Sequence, residues 1–153
     1  MWRLFLIQTK SNMCNSQLLN YSELVEIQVN ASVAKYSFPQ NLDIVENNAE
    51  VIAIETYSAD EIPLAPSGRP VVSATEVKAL FLSLRGKKLG NFPMRKTPFI
   101  DLIAAKNNGQ KEFIEPLQVD FSQSEIDVAQ TVALGTTKSI LVRVIYRKTN
   151  VCK

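Results

Sequence analysis

Hydrophobic and polar residues alternate along several short stretches of this chain. The clearest alternation runs from Glu23 to Tyr36, where Val25, Ile27 and Val29 are separated by polar side chains. A period of two places every second side chain on the same face of a β-strand, so this stretch predicts a strand with one buried face and one solvated face. The stretch from Val51 to Tyr57 carries apolar residues on both faces, which predicts a central strand covered on both sides.

Three further strands are predicted in the second half of the chain, at Val77–Arg85, Phe113–Phe121 and Ser139–Lys148. Pro116 lacks the N–H group that a ladder hydrogen bond needs, so the middle strand should lie at a sheet edge or carry a bulge. The polar residues that follow it, as far as Asp127, predict a strand end and a turn. The residues expected to face a common core are Leu80, Leu82, Ile140, Val142 and Val144.

One short helix is expected just before the strand that contains Leu82. The apolar spacing near Val77 also fits a helix, and the segment from Ser73 to Leu80 is the best place for one. Ser73 or Thr75 would cap its first turn, with Glu76 close to the positive end of the helix.

Long connections separate the predicted strands. Ser58 to Ala74 and Gly86 to Pro98 are rich in proline and glycine, and loops of this length in a compact domain are often functional. Short strands joined by long loops favour Greek-key connections over tight hairpins. We therefore predict an all-β fold, an antiparallel β-sandwich and most consistently a jelly roll, with at most one or two short helices.

The length of 153 residues, with 46% hydrophobic residues, is typical of one domain. We expect residues 1–22 to form an N-terminal arm or edge strand and residues 23–153 to form a single sandwich domain.

Met1 to Ile7 is apolar but lacks a following small-residue cleavage site, and no window is long and apolar enough to predict a transmembrane segment. Cys14 and Cys152 have no metal-ligand spacing; they would pair if the termini meet, or remain two free thiols in a reducing compartment.

The composition argues against most kinds of active site. The chain contains no histidine, which excludes Ser-His-Asp and Cys-His arrangements and most zinc and iron sites. Catalysis by paired carboxylates remains available in principle, but no spacing of the acidic residues singles out a pair. We therefore predict that the protein is not an enzyme and needs no cofactor.

The distribution of charge is more informative than the formal net charge of +2. Residues between Lys35 and Arg69 include acids but no bases, namely Asp43, Glu46, Glu50, Glu55, Asp60 and Glu61. A later stretch includes bases but no acids, namely Arg85, Lys87, Lys88, Arg95 and Lys96. These stretches are either two solvated loops, or complementary patches for head-to-tail contact between subunits, or, for the basic one, a nucleic-acid contact with Phe92 and Phe99 interleaved for stacking.

Four segments together resemble small jelly-roll virion proteins of icosahedral bacteriophages, across roughly residues 23–148. The segments are Phe38–Leu42, Val51–Tyr57, Ser67–Ser73 and Val142–Tyr146. The resemblance lies in their layout and implies a minor capsid protein or penton-like vertex subunit without an active site. It also implies a location in the virion, with assembly in the host cytoplasm.

Two functions are therefore expected to compete. The first is a structural virion protein that self-associates, for example as a pentameric ring, and contacts other capsid proteins. The alternative is a non-enzymatic β-sandwich binding module of the carbohydrate-binding or adhesin-like kind. Such modules present exposed aromatic residues on a sheet face, whereas Tyr57 and Tyr146 are expected to be buried.

Overall fold

The computed structural model describes residues 19–103 and 109–148. Within them the chain forms eight β-strands, two single-turn α-helices and one 3-10 helix, Phe99–Leu102. The strands are β1 (Asn20–Gln28), β2 (Lys35–Ser37), β3 (Glu50–Tyr57), β4 (Leu80–Gly86), β5 (Met94–Pro98), β6 (Lys111–Leu117), β7 (Val119–Val128) and β8 (Ser139–Arg147), and the helices are α1 (Asp43–Glu46) and α2 (Ala74–Val77). The segment Met1–Ile7 and both cysteines, Cys14 and Cys152, lie outside the described residues.

The strands form two four-stranded antiparallel sheets. The first sheet has the order β1-β8-β3-β6 and the second has the order β2-β7-β4-β5. The first strand pairs with the eighth, the second with the seventh, the third with the sixth and the fourth with the fifth. This nested pairing is the strand arrangement of a jelly roll. The predicted fold class, an all-β antiparallel sandwich with at most two short α-helices, is confirmed.

The core lies between the two sheets. The five residues expected to face it, Leu80, Leu82, Ile140, Val142 and Val144, are all fully buried in one continuous cluster. Tyr57 and Tyr146 are also buried, as predicted. Because β4 and β8 belong to different sheets, these side chains meet across the sandwich and hold the sheets together.

The short helix α2 forms where the sequence predicts it. Ser73 is its N-cap: the Ser73 hydroxyl accepts from the Glu76 N–H at 3.2 Å, and the Glu76 carboxylate accepts from the Ser73 N–H at 2.7 Å. Lys138 also donates to Glu76 at 2.7 Å. Burial opposes ionisation of Glu76, but these hydrogen bonds outweigh it and lower its pKa. The strand β4 therefore begins after the helix, at Leu80 and not at Val77.

The alternating stretch from Glu23 to Tyr36 is not one strand. It contains β1 and β2, which belong to different sheets, and the chain turns between Gln28 and Lys35. The Tyr36 hydroxyl closes this turn by donating to the Ala31 carbonyl at 2.7 Å. When the chain passes from one sheet to the other, every second side chain still faces the core. The alternation is therefore the same before and after the turn, and it does not reveal the break.

A second predicted strand divides in the same way. Phe113 to Phe121 contains all but the start of β6 and the beginning of β7, which lie in opposite sheets. Pro116 is in β6, an edge strand, as expected. The polar residues up to Asp127 are part of β7 and not a turn, and the predicted loop Gly86–Pro98 contains the edge strand β5.

Candidate functional site: a basic groove on the second sheet

The five basic residues singled out by the sequence separate into two sets. Arg85 on β4 and Arg95 and Lys96 on β5 line one concavity of about 530 Å³. Since Leu80, Leu82 and Leu84 point into the core, alternation along β4 places Arg85 on the outer face of the second sheet.

Lys87 and Lys88 are not part of this concavity. They follow β4, where the Lys87 N–H donates to the Gln118 carbonyl at 2.9 Å, and they line a different hollow beside Glu50 and Glu115. The Lys87 ammonium also donates to the side chain of Asn48. The predicted basic stretch is therefore two surfaces.

A β-bulge places Arg95 and Lys96 in the same concavity. Leu82 is paired with Thr97 and Leu84 with Met94, so the two basic residues stand opposite the single residue Ser83. In a regular strand neighbouring side chains point to opposite faces, whereas a bulge redirects one of them.

The bulge places Lys96 in a strained backbone conformation. Its φ is 42°, in the left-handed region, and its N–H donates to the Ser83 hydroxyl at 3.0 Å. A non-glycine residue in this conformation costs about 1–2 kcal/mol relative to the right-handed one. The chain thus holds a lysine where glycine would be less strained.

Phe92 organises the two arginines. The guanidinium carbon of Arg85 lies 5.2 Å from the centre of the Phe92 ring, and that of Arg95 lies 4.7 Å from it. Both distances fall within the range of cation–π attraction. The ring remains 37% exposed. A guanidinium carries five N–H donors in its plane, so an arginine over a ring can still donate hydrogen bonds to an anion.

The other wall of the concavity comes from β7, which contributes Gln123 and Glu125. An adjoining concavity of about 460 Å³ shares Lys96 and is lined by Lys35, Phe81 and Asp127. We call the two together the groove. Its principal side chains are Lys35, Phe81, Ser83, Arg85, Phe92, Arg95, Lys96, Gln123, Glu125 and Asp127.

The charges in the groove are compensated at one end only. Lys35 lies 2.6 Å from the Glu125 carboxylate and 3.7 Å from that of Asp127, and the hydrogen bond to Glu125 raises the pKa of Lys35. Arg85, Arg95 and Lys96 have no side-chain hydrogen bond or ion pair with any described residue. One carboxylate oxygen of Asp127 is buried without a hydrogen-bond partner among the described residues. The groove therefore presents an excess of positive charge and one unused acceptor.

Phe99 does not contribute to this surface, which corrects the expectation that it interleaves with the basic residues. It is fully buried at the start of the 3-10 helix, where its carbonyl accepts from the buried Thr56 hydroxyl at 2.7 Å. Burial of an aromatic ring is strongly favourable, and the turn after Pro98 directs this ring into the core. Of the two phenylalanines, only Phe92 is accessible for stacking.

Four of the six acids in the predicted acidic patch are used within the subunit. Asp43, Glu50 and Glu55 form ion pairs with three bases at the end of the described chain, at 2.9, 3.2 and 3.7 Å; the bases are Lys148, Arg147 and Arg143 respectively. Glu61 accepts from the N–H and hydroxyl of Ser58 at 2.7 and 2.5 Å. The acidic stretch is therefore not a free counterpart to the basic residues.

Sequence reasoning missed the half of the groove that β2 and β7 supply. Gln123, Glu125 and Asp127 recur at every second position, which is the strand signal, but the stretch has few apolar residues and its sequence therefore predicts a turn. Lys35 and Phe81 join them only through the pairing of β2 and β4 with β7.

Comparisons with protein-family models, with curated proteins and with solved structures returned no match. Within residues 19–103 and 109–148, no cluster of three acidic, cysteine or histidine side chains is arranged to hold a metal ion. No helix in the described part of the chain is long and apolar enough to cross a membrane.

Proposed function

We propose that this chain is a structural virion protein, a minor capsid or penton-like vertex subunit that acts by self-assembly. It would be located in the virion and assemble in the host cytoplasm. The observation that carries the proposal is the nested pairing of eight strands, an arrangement that viral capsid domains share with lectins and cupins. A capsid role also requires a surface that can join subunits.

The edge strand β6 is such a surface. It pairs with β3 on one side, and no described strand covers its other side. Ile114 on this strand is fully exposed and Phe113 is half-buried. An uncovered edge with unpaired backbone groups and an exposed apolar side chain favours association with another chain.

Charge has a smaller part in this proposal than apolar contact. Three of the six acids in the predicted acidic patch are paired within the subunit, and exposed ion pairs contribute only about 0–1 kcal/mol each. Lys87 and Lys88 would steer the approach of subunits, while exposed apolar residues such as Ile114 and Leu64 would supply most of the affinity.

The native mass of the full chain tests self-assembly. Analytical ultracentrifugation over a range of concentrations should show a closed oligomer. Ile114→Asp should shift the mass towards the monomer, whereas Val33→Asp, an exposed apolar residue between β1 and β2 at the opposite edge, is the matched control. A wild-type chain that stays monomeric at high concentration, including with co-expressed capsid proteins, would contradict the proposal.

Reversal of Lys87 and Lys88 to Glu tests the role of charge separately. Because steering acts on the encounter, the double variant should assemble more slowly than the wild type at low ionic strength, with a nearly unchanged final mass. Light scattering during assembly at several salt concentrations measures this. An unchanged rate at every salt concentration would remove charge steering from the proposal.

A second candidate, a non-enzymatic binding module, is favoured by the groove itself. Phe81 on β4 and Phe92 in the connection between β4 and β5 line adjoining concavities with polar side chains between them, a combination of aromatic and polar groups that suits a binding site for a small ligand such as a sugar. A module of this kind would bind its ligand as a monomer. The native mass and a ligand titration therefore distinguish the two candidates.

A further inference from the structure

We infer that the groove on the second sheet binds single-stranded nucleic acid, through phosphate contacts from Arg85, Arg95 and Lys96 and base stacking on Phe92 and Phe81. This goes beyond self-assembly and does not depend on it. Three features of the groove support this inference, namely its charge, its aromatic rings and its irregular backbone.

The charge of the groove indicates an anionic ligand. Arg85, Arg95 and Lys96 converge on one concavity and have no acidic partner among the described residues. Glu125 in the same concavity is occupied by Lys35 at 2.6 Å. A neutral sugar would leave these three cations unmatched, whereas a chain of phosphates would neutralise them.

The aromatic rings indicate a ligand with flat faces. Phe92, in the connection between β4 and β5, is contacted by two arginines and is accessible, and Phe81 is half-buried in the adjoining concavity. Phe81 and Arg85 are four residues apart on β4, which is about 13 Å. A flexible chain with repeated phosphates and bases can thus contact both ends of the groove. Basic grooves with aromatic platforms are the usual means of binding single strands without sequence preference, whereas an acidic polypeptide lacks the repeated planar groups.

Irregularities in the backbone of the groove bring its basic side chains together. The bulge on β5 directs both Arg95 and Lys96 into the concavity, at the expense of a strained φ at Lys96. The register of β4 with β7 also breaks between Ser83 and Arg85, and the Ser124 hydroxyl accepts the Arg85 N–H at 3.0 Å there. Two irregularities on neighbouring strand pairs thus meet beside Arg85, and bulges often adjust side chains at binding sites.

Fluorescence anisotropy with a labelled oligothymidylate, at several salt concentrations, tests the inference on the full chain. The wild type should bind, with an affinity that falls as salt rises. The double variant Arg85→Ala, Arg95→Ala should weaken binding and reduce the slope of log K against log salt by roughly 1.4, the value for two single-strand phosphate contacts. Lys87→Ala, Lys88→Ala removes the same charge outside the groove and is the matched control, with a much smaller effect.

The stacking contact has its own variants. Phe92→Ala should weaken binding by about 10-fold or more, and Phe92→Tyr should retain it. Failure of the wild type to bind oligothymidylate would overturn the inference, as would equal losses in the two charge variants or equally tight binding of polyglutamate. Binding of a neutral oligosaccharide in the groove, with no salt dependence, would also overturn it and would instead favour the carbohydrate-binding candidate. None of these outcomes alters the native mass, so self-assembly is tested independently.

Discussion

The two sheets of this protein differ in how their arginines are paired. On the first sheet, Arg143 lies over the Tyr57 ring at 5.3 Å and also pairs with Glu55 at 3.7 Å. On the second sheet, Arg85 and Arg95 lie over Phe92 but have no carboxylate partner among the described residues. The aromatic contact is common to both, so the carboxylate is the difference. Where it is present the cation contributes to the fold, and where it is missing the cation remains available to a ligand.

The two phenylalanines that flank the basic residues differ in burial, and this difference gives the largest expected effect on stability. Phe99→Ala should destabilise the protein by about 3–5 kcal/mol because it leaves a cavity in the core. Phe92→Ala should change stability by less than about 1 kcal/mol, because its ring is partly exposed and its partners are solvated arginines. Urea denaturation of both variants measures this, and similar losses would contradict the assignment of Phe92 to a binding surface.

The carboxylate contrast is tested by removing one charge from each sheet. Glu55→Ala should cost about 1–3 kcal/mol, because the buried Tyr57 hydroxyl loses the acceptor of its hydrogen bond. Arg95→Ala should lie within about 0.5 kcal/mol of the wild type, since it removes no ion pair seen among the described residues. Thermal unfolding at constant pH compares them. If the two changes were equally costly, the distinction between arginines with and without a carboxylate partner would fail.

Relief of the backbone strain at Lys96 should increase stability, in contrast to the substitutions above. Lys96→Gly should raise the free energy of unfolding by up to about 1 kcal/mol, because glycine adopts the positive φ at this position without steric cost. The same change should weaken binding of oligothymidylate, since it removes a cation from the groove. Denaturation and anisotropy on one sample measure both effects. A variant that loses stability would show that the bulge is not strained.

Alkaline pH should affect the first sheet, with the smallest of these effects. Burial, together with a hydrogen bond to a carboxylate, raises the pKa of Tyr57 beside Glu55 and that of Tyr146 beside Asp43. The folded protein therefore holds these protons more tightly than the unfolded chain, so their contribution is complete below about pH 10 and falls as the pH rises above that value. Tyr57→Phe should flatten the decline measured by chemical denaturation between pH 9 and 11 (about one unit on either side of the ordinary tyrosine pKa), and an unchanged slope would contradict this assignment.

Much of the fold could be predicted from local patterns. The strands β3 and β8 and the capped helix α2 were predictable because their signals, apolar runs and a serine three residues before a glutamate, lie within each element. The breaks between β1 and β2 and between β6 and β7 were not predictable, because alternation is the same on either side of a sheet change.

The groove was predictable only in part, for a different reason. Arg85, Arg95 and Lys96 stand out in the sequence as bases without nearby acids. A regular strand, however, would send Arg95 and Lys96 to opposite faces, and only the pairing of β5 with β4 shows the bulge that brings them together. The burial of Phe99 was not predictable either, since a phenylalanine after a proline has the same local sequence pattern whether its side chain is exposed or buried.

The nested pairing also fixes the order in which strands can find their partners while the chain is being synthesised. The strand β1 leaves the ribosome first among the described strands, but Asn20 lies opposite Arg147, near the end of the last one. Of the described strands, only β4 and β5 are neighbours both along the chain and within a sheet. A nascent chain can therefore form the β4–β5 hairpin early, whereas the first sheet can be completed only after β8 emerges, and β1 remains without its strand partner until then.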